Sequence, residues 1–194
     1  MKAPLIILAA SLPLAACISI GAKPPASLLT LTTTSALPVG QAQSSATASS
    51  ITIEVPVTAA ALATARVPVQ ATPTTIAYVP DAQWSEPPAR LFARLMADTV
   101  TARTGRVVLS TVQAIGDPSA QLGGELRTFG LDATNRQATV TFDASLRRRP
   151  DGAIEKRRFQ ASVPVAAIDP ASAGPALNDA ANQIAVQVAD WVGR

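Results

Sequence analysis

Apolar and polar residues alternate over several stretches of the chain, and this period of two predicts β-strands. The clearest stretches are residues 51–57, 138–149 and 154–165, where Ile, Val, Leu, Phe and Ala recur at alternate positions. Pro150-Asp151-Gly152 separates the last two stretches and predicts a hairpin turn between them. Further extended segments are expected at residues 27–32, 66–69, 75–79, 106–112 and 120–131, with a short helical turn within 58–65.

One extended segment changes the face on which its apolar residues lie. Leu122 and Leu126 share one parity, whereas Phe129 and Leu131 have the other. A β-bulge at Gly123-Gly124 would explain the change, because an extra residue reverses the alternation. Burial of the strand on both faces would explain it equally well.

Two segments show the longer period of an amphipathic helix. The first follows Ser85, a suitable N-cap, and Glu86, which suits the positive end of the helix dipole. Pro87-Pro88 fit its first turn, and Gly105 is expected to end it. The second helix is expected over residues 174–192. Their apolar positions are Leu91, Phe92, Leu95, Met96 and Val100 in the first, and Leu177, Ala181, Ile184, Val188 and Trp191 in the second.

Together these elements predict an α+β fold. We expect a two-layer sandwich, in which a mixed, mostly antiparallel sheet is packed by a mid-chain helix and a C-terminal helix. One domain is expected over residues 27–194. The stretch 33–50 within it is rich in Ser, Thr, Ala and Gln and is expected to be a polar, flexible insertion.

The N-terminus has the features of a bacterial lipoprotein signal. Residues 1–16 contain a positively charged Lys2, followed by an apolar run too short to remain as a membrane span. They lead into Leu14-Ala15-Ala16-Cys17, which matches the lipobox. Cys17, the only cysteine of the chain, is therefore predicted to carry lipid, palmitate included, that anchors the protein to a membrane. A secreted protein with an incidental Cys17 is the alternative.

The residues after Cys17 indicate where such an anchor would act. Residues 17–26 are expected to form a tether, because they contain Gly, Pro and Ser and lack a strand pattern. Ile18, and not Asp, follows the lipidated position. Lipoproteins of Gram-negative bacteria that resemble this sequence at that position are sorted to the outer membrane, so we expect the periplasmic face of that membrane.

The composition excludes most catalytic chemistry. The chain has 194 residues, no His and one Cys. A Ser-His-Asp triad, a Cys-His pair, a His-ligated metal and an intrachain disulfide are therefore impossible. No two carboxylates have a spacing that places them in one acid–base site. We therefore predict no catalytic residues, no metal, no cofactor and no enzyme activity, and a net charge of +3 is too small to indicate a nucleic-acid partner.

The predicted hairpin carries the densest charge of the chain. Its basic cluster consists of Arg147, Arg148, Arg149, Lys156, Arg157 and Arg158. These cations create a local positive field that would suit an anionic partner, either lipid headgroups or an acidic protein surface. The alternative is a solvated hairpin whose charges prevent aggregation through a sheet edge.

The order of these landmarks resembles that of the ABC-type transport auxiliary lipoproteins, which accompany MCE-type lipid transporters. The resemblance rests on the lipobox, the strand over 51–57, the segment Trp84-Ser85-Glu86-Pro87 before a helix, and the Trp191 of the last helix. The segment at Trp84 is its most specific part, and both tryptophans are expected to serve packing. The first strand lacks an aromatic residue often seen in the family, and the polar stretch after it is longer.

The resemblance implies a non-enzymatic component of a periplasmic lipid-transport system, anchored in the outer membrane. Its partners would be MCE-type transporter proteins and the membrane, and sheet edges leave room for homo-oligomers. A structural or assembly lipoprotein of the cell envelope, unrelated to transport, is the alternative.

Overall fold

The computed structural model describes residues 27–110, 112–114, 118–150 and 152–193. Eight strands and two long helices form the fold, with a 3₁₀ turn at Ala60–Leu62 where a helical turn was expected. The strands are β1 (Ser50–Ile53), β2 (Val57–Thr58), β3 (Arg66–Thr72), β4 (Thr75–Gln83), β5 (Val107–Leu109), β6 (Ala120–Asp132), β7 (Gln137–Arg148) and β8 (Ile154–Pro164), and the helices are α1 (Pro88–Thr104) and α2 (Pro170–Val192).

Strand β6 is the centre of one mixed sheet. Along one edge it pairs antiparallel with β7, which in turn pairs antiparallel with β8. Along its other edge β1, β2 and β3 follow one another, each parallel to β6. Strand β5 lies outside β1, and β4 lies outside β3. The longest ladders are antiparallel, so the predicted mixed, mostly antiparallel sheet is confirmed.

Both helices cover one side of this sheet, which we call the helix face; the opposite side is the open face. Edge-to-face aromatic contacts join the two layers: the ring of Phe92 on α1 lies 5.4 Å from Phe142 and 6.3 Å from Phe129. Trp84, which precedes α1, lies 5.4 Å from Phe129 and is 1% exposed. The two-layer α+β sandwich is confirmed, and Trp84 packs in its core, as does Trp191 against Phe159.

The change of parity in β6 has a different cause from the bulge expected at Gly123-Gly124. The register with β7 shifts between Leu126 and Thr128, so the extra residue is Arg127. Leu122 and Phe129 therefore both reach the helix face. Gly124 serves another purpose: it has φ 143° and lies so close to the backbone of β7 that a Cβ atom would collide with the carbonyl of Asp143.

The strand expected over 51–57 is interrupted. Pro56 has no N–H to donate to a ladder, and it lies between β1 and β2. Val55 and Val57 are 55% and 72% exposed as a result, although their alternation predicted burial. The strand expected over 106–112 is also shorter, since β5 has three residues.

The helix ends correct two expectations. Helix α1 begins at Pro88 after an N-cap at Pro87, so Ser85 is not the cap. The N–H of Ser85 instead donates to the carbonyl of Leu29. Gly105 ends α1 in the left-handed region, as predicted. Helix α2 begins four residues before the expected 174, because the carboxylate of Asp169 accepts the N–H of Ser172 and caps the helix there.

The first strand predicted over 27–32 does not join the sheet beyond one bridge between Leu29 and Trp84. Residues 29–34 form an extended segment, which we call the strap. Leu29 packs against α2 so closely that a Cβ on Gly174 would lie 2.9 Å from its Cδ2.

Two asparagines of α2 hold the strap. Asn178 Oδ1 accepts the N–H of Thr32, and Asn182 Oδ1 accepts the N–H of Thr34. Asn182 Nδ2 also donates to the carbonyl of Thr32. Two extended residues advance about 6.6 Å and four helical residues about 6 Å. The strap therefore runs parallel to α2. The bond of Thr34 falls within the stretch 33–50 that was expected to be flexible.

The strap allows a first test. Replacing the buried Asn182 by Ala removes the part-buried hydrogen bonds to the N–H of Thr34 and the carbonyl of Thr32, so we expect a loss of roughly 2 kcal/mol in the free energy of unfolding. Urea denaturation followed by circular dichroism measures it. Asn178→Ala is the control. It removes a single hydrogen bond, which is exposed, and should therefore cost less. Equal stability of the wild type and Asn182→Ala would contradict the strap as described.

Candidate functional site

The basic cluster lies at the turn end of the β7–β8 hairpin. The register pairs Arg147 with Ile154, Ser145 with Lys156 and Ala144 with Arg157. Because side chains alternate along a strand, this register sends the cations to both sides of the sheet. Arg148 and Arg157 lie on the helix face, and Arg147, Lys156 and Arg158 lie on the open face. The six cations therefore do not form one patch.

Arg148 holds the hairpin to the end of α2. Its guanidinium donates to the carbonyls of Trp191 and Val192 at 2.8 and 3.0 Å. These carbonyls belong to the last turn of α2 and have no partner within the helix. Glu155, across the hairpin, accepts a further bond at 2.9 Å. Arg148 is thus a structural cap and is not free for a partner.

Arg106 lies close enough to Arg148 to respond to its charge. Burial lowers the pKa of Arg106, and the positive charge of Arg148 lowers it further. Arg106 donates to the hydroxyl of Ser119, which in turn donates to the carbonyl of Ser50. Both arginines therefore support the structure at this end of the molecule.

Arg158 is also occupied. Its Nε and one terminal nitrogen donate to the two carboxylate oxygens of Asp143 at 2.6 and 2.7 Å. The hydrogen bond from Arg158 is the main cause that lowers the pKa of Asp143, and the charges of Arg158 and Arg127 add to it. On the open face this pair cancels most of the charge that Arg158 would present.

Three exposed cations remain, which we call the hairpin cations: Arg147, Lys156 and Arg157. Within the described parts of the chain, no carboxylate lies at ion-pair distance from any of them. The guanidinium of Arg157 lies 5.0 Å from the ring centre of Phe159, a cation–π distance. Arg149 is exposed as well and has an interaction of its own.

A groove of about 740 Å³ runs along the open face beside these cations. Lys156 and Arg158 border it on β7–β8, and Glu125 and the exposed Val55 and Val57 border it on the other side. The alternation of these valines predicted burial, so they were not expected at a surface groove. Pro56 between them was the signal for an interrupted strand.

The described residues contain no cluster of three metal-ligating carboxylate or thiol side chains. The carboxylates beside the groove are already engaged, Asp143 by Arg158, Glu54 by the amide of Gln121 and Glu125 by Arg127. No described helix has the length and apolar character needed to cross a membrane. Residues 1–26, which include Cys17 and the whole tether 17–26, lie outside the described residues.

The family model of the ABC-type transport auxiliary lipoprotein component matches residues 29–189. The chain belongs to this family. It is therefore an auxiliary protein of ABC-type transport, and as a lipoprotein family member it acts at the cell envelope. The resemblance inferred from the lipobox, the segment at Trp84 and Trp191 is confirmed.

Solved structures agree on the fold. A crystal structure of a Xanthomonas campestris protein of the DUF330 family is similar, with a TM-score of 0.68 and 19% identity over 86% of this chain and 94% of that one. The crystal structure of an uncharacterized protein has a TM-score of 0.62 and 12% identity over 74% and 90%. No curated protein matches the chain significantly.

Removing the side chain of Arg148 should destabilise the protein. Arg148→Ala leaves the last carbonyls of α2 and Glu155 without their donor, so we expect a loss of about 2 kcal/mol in the free energy of unfolding. Arg147, the preceding residue, is exposed and has no carboxylate partner among the described residues, so Arg147→Ala should change it by less than about 0.5 kcal/mol. Chemical denaturation of both variants decides the matter, and equal losses would contradict the assignment of Arg148 as a cap.

The Arg158–Asp143 pair predicts a pH dependence. Since the pKa of Asp143 is lower in the folded protein, the pair stabilises the protein above the unfolded pKa of about 3.9, and this contribution is lost as pH falls through the folded pKa. Asp143→Asn should therefore lower the Tm at pH 7 but leave it nearly equal to that of the wild type in strong acid. A Tm difference that stays constant from pH 7 to pH 2 would rule this out.

Proposed function

We propose that this protein is an outer-membrane-anchored periplasmic lipoprotein, and that it serves as a non-enzymatic component of an MCE-type ABC transport system that moves lipid between membranes. The match of residues 29–189 to the auxiliary lipoprotein family carries the proposal. The lipobox at Leu14-Ala15-Ala16-Cys17 supports the anchor, and Ile18 supports the outer membrane as its location. The MCE partner and the lipid cargo follow from the resemblance stated above.

The tether sets how the folded body would meet its partners. Ten residues, 17–26, precede Ser27 and span at most about 35 Å when extended. The body would thus remain close to the membrane while its surfaces stay accessible from the periplasm. Several acyl chains on Cys17 would hold it there stably, because each buried CH₂ contributes about 0.8 kcal/mol.

A docking role agrees with the chemistry of the described surface. The carboxylates beside the open-face groove are held by Arg158, Gln121 and Arg127 and are not arranged for acid–base catalysis. Three exposed cations at the hairpin lack carboxylate partners among the described residues. Within the proposal, these hairpin cations make the anionic contact first assigned to the whole basic cluster.

The anchor is tested by labelling cells with palmitate. The wild type should incorporate label and sediment with the outer membrane, whereas Cys17→Ala should do neither. Ile18→Asp is the matched control: it should keep the label but move the protein to the inner membrane. An unlabelled, freely soluble wild type would overturn the proposed anchoring.

The partner is tested by purifying the full chain from solubilised envelope and identifying what accompanies it by mass spectrometry. We expect an MCE protein together with the permease and ATPase of an ABC transporter. A companion set made only of envelope-assembly proteins would contradict the transport role.

A further inference from the structure

The folded body has two ends that are far apart along α2. The strap meets α2 at Gly174, where Leu29 packs, and Arg148 of the hairpin meets it at Val192. A helix rises about 1.5 Å per residue, so these contacts are about 27 Å apart. The chain leaves the strap toward Cys17 at the first end, which we call the anchor end. The hairpin cations therefore lie at the opposite end of the body.

Strand β8 at this far end is an edge of the sheet. It pairs with β7 on one side, and no strand of the described chain pairs with its other side. It has eleven residues, its one proline is the last of them, and residues 154–158 are all exposed. Unpaired N–H and C=O groups along such an edge can accept another strand.

The hairpin cations project to both faces of the sheet, which suits contact with an added strand and does not suit contact with a flat surface. Lys156 lies on the open face, and Arg157, the next residue, lies on the helix face beside Phe159. A lipid bilayer would attract cations that project in one plane. An extended segment added beside β8 would instead send its side chains alternately to both faces, and two adjacent acidic residues would meet Lys156 and Arg157.

We infer that the free edge of β8 binds an extended acidic segment of a partner protein, added as a ninth strand with its carboxylates against Lys156 and Arg157. The inference rests on the proposed function, since it takes the partner to be a component of the transport assembly. The main-chain bonds would supply most of the affinity, and the adjacent carboxylates would supply the specificity.

A second copy of the chain fits this edge less well. If two β8 strands paired antiparallel about Phe159, Lys156 would face Ser162 and Arg157 would face Ala161. No like charges would meet, but the cations would gain no counter-charge either. The charge of the edge therefore favours an acidic partner.

Hydrogen exchange with mass spectrometry tests the inference on the full acylated chain in neutral detergent. The probe is a blocked peptide, Thr-Val-Glu-Glu-Val-Thr-Val, and its counterpart has Gln in place of both Glu. We expect the acidic peptide to slow exchange within residues 154–164. The Gln peptide should bind roughly tenfold more weakly, the combined effect of two exposed ion pairs.

Variants locate the contact. K156Q/R157Q should weaken the acidic peptide by a similar factor, whereas R90Q/R94Q, which removes two exposed charges near the anchor end, should not. If K156Q/R157Q fails to show the wild-type melting temperature, the comparison of Glu and Gln peptides on the wild type still decides. Equal binding of the two peptides, or protection away from β8, would overturn the inference.

The other occupants are distinguished in the same experiment. Vesicles that contain phosphatidylglycerol could protect β8 from exchange where phosphatidylcholine vesicles and the peptide do not. That result would assign the edge to a membrane and overturn the inference. Concentration-dependent protection without any probe would assign it to a second copy, with the same result. Transporter proteins that still co-purify with K156Q/R157Q would overturn the edge assignment alone, whereas loss of palmitate labelling would overturn the proposed anchoring.

Discussion

Burial of one side of β6 against the two helices is the constraint on which the rest of the structure depends. Leu122, Leu126 and Phe129 must all reach the helix face, and only the extra residue at Arg127 allows this over thirteen residues. Strand β6 stays paired with β7 on both sides of the bulge, with the register shifted by one residue. The ring of Phe142, opposite Leu126, meets Phe92 of α1. Aromatic contacts of this kind add to the burial of apolar area and hold the two layers together.

The two long antiparallel strands place charge at one end of this core. Arg148 joins the hairpin to the last turn of α2, and the strap joins the first turns of α2 to the segment that follows the tether. Helix α2 thus connects the part of the body nearest the proposed anchor with the part that carries the exposed cations. A transport auxiliary protein with this layout can remain attached at one end and receive a partner at the other.

Local patterns were sufficient for the elements that bury one face. The alternation in β7 and β8, the stripe from Leu177 to Trp191 and the stop at Gly105 all follow from short-range chemistry, and they were predicted. The strap could not be predicted, because its partners Asn178 and Asn182 lie almost 150 residues away and its own residues suit a strand equally well. The basic cluster could be recognised in the sequence from its closely spaced Arg and Lys residues. That Arg148 and Arg158 are occupied depends on the end of α2 and on Asp143, which only the folded chain brings to them.

The parallel course of the strap and α2 has a mechanical consequence. A pull along the axis of the strap would load the bonds from Thr32 and Thr34 to the two asparagines together in shear, and they would not open one after another. Leu29, seated at Gly174, resists the same displacement by its shape. If Cys17 is anchored as proposed, thermal motion of the membrane would therefore move the strap and α2 together, and the core would not open from residue 29 inward.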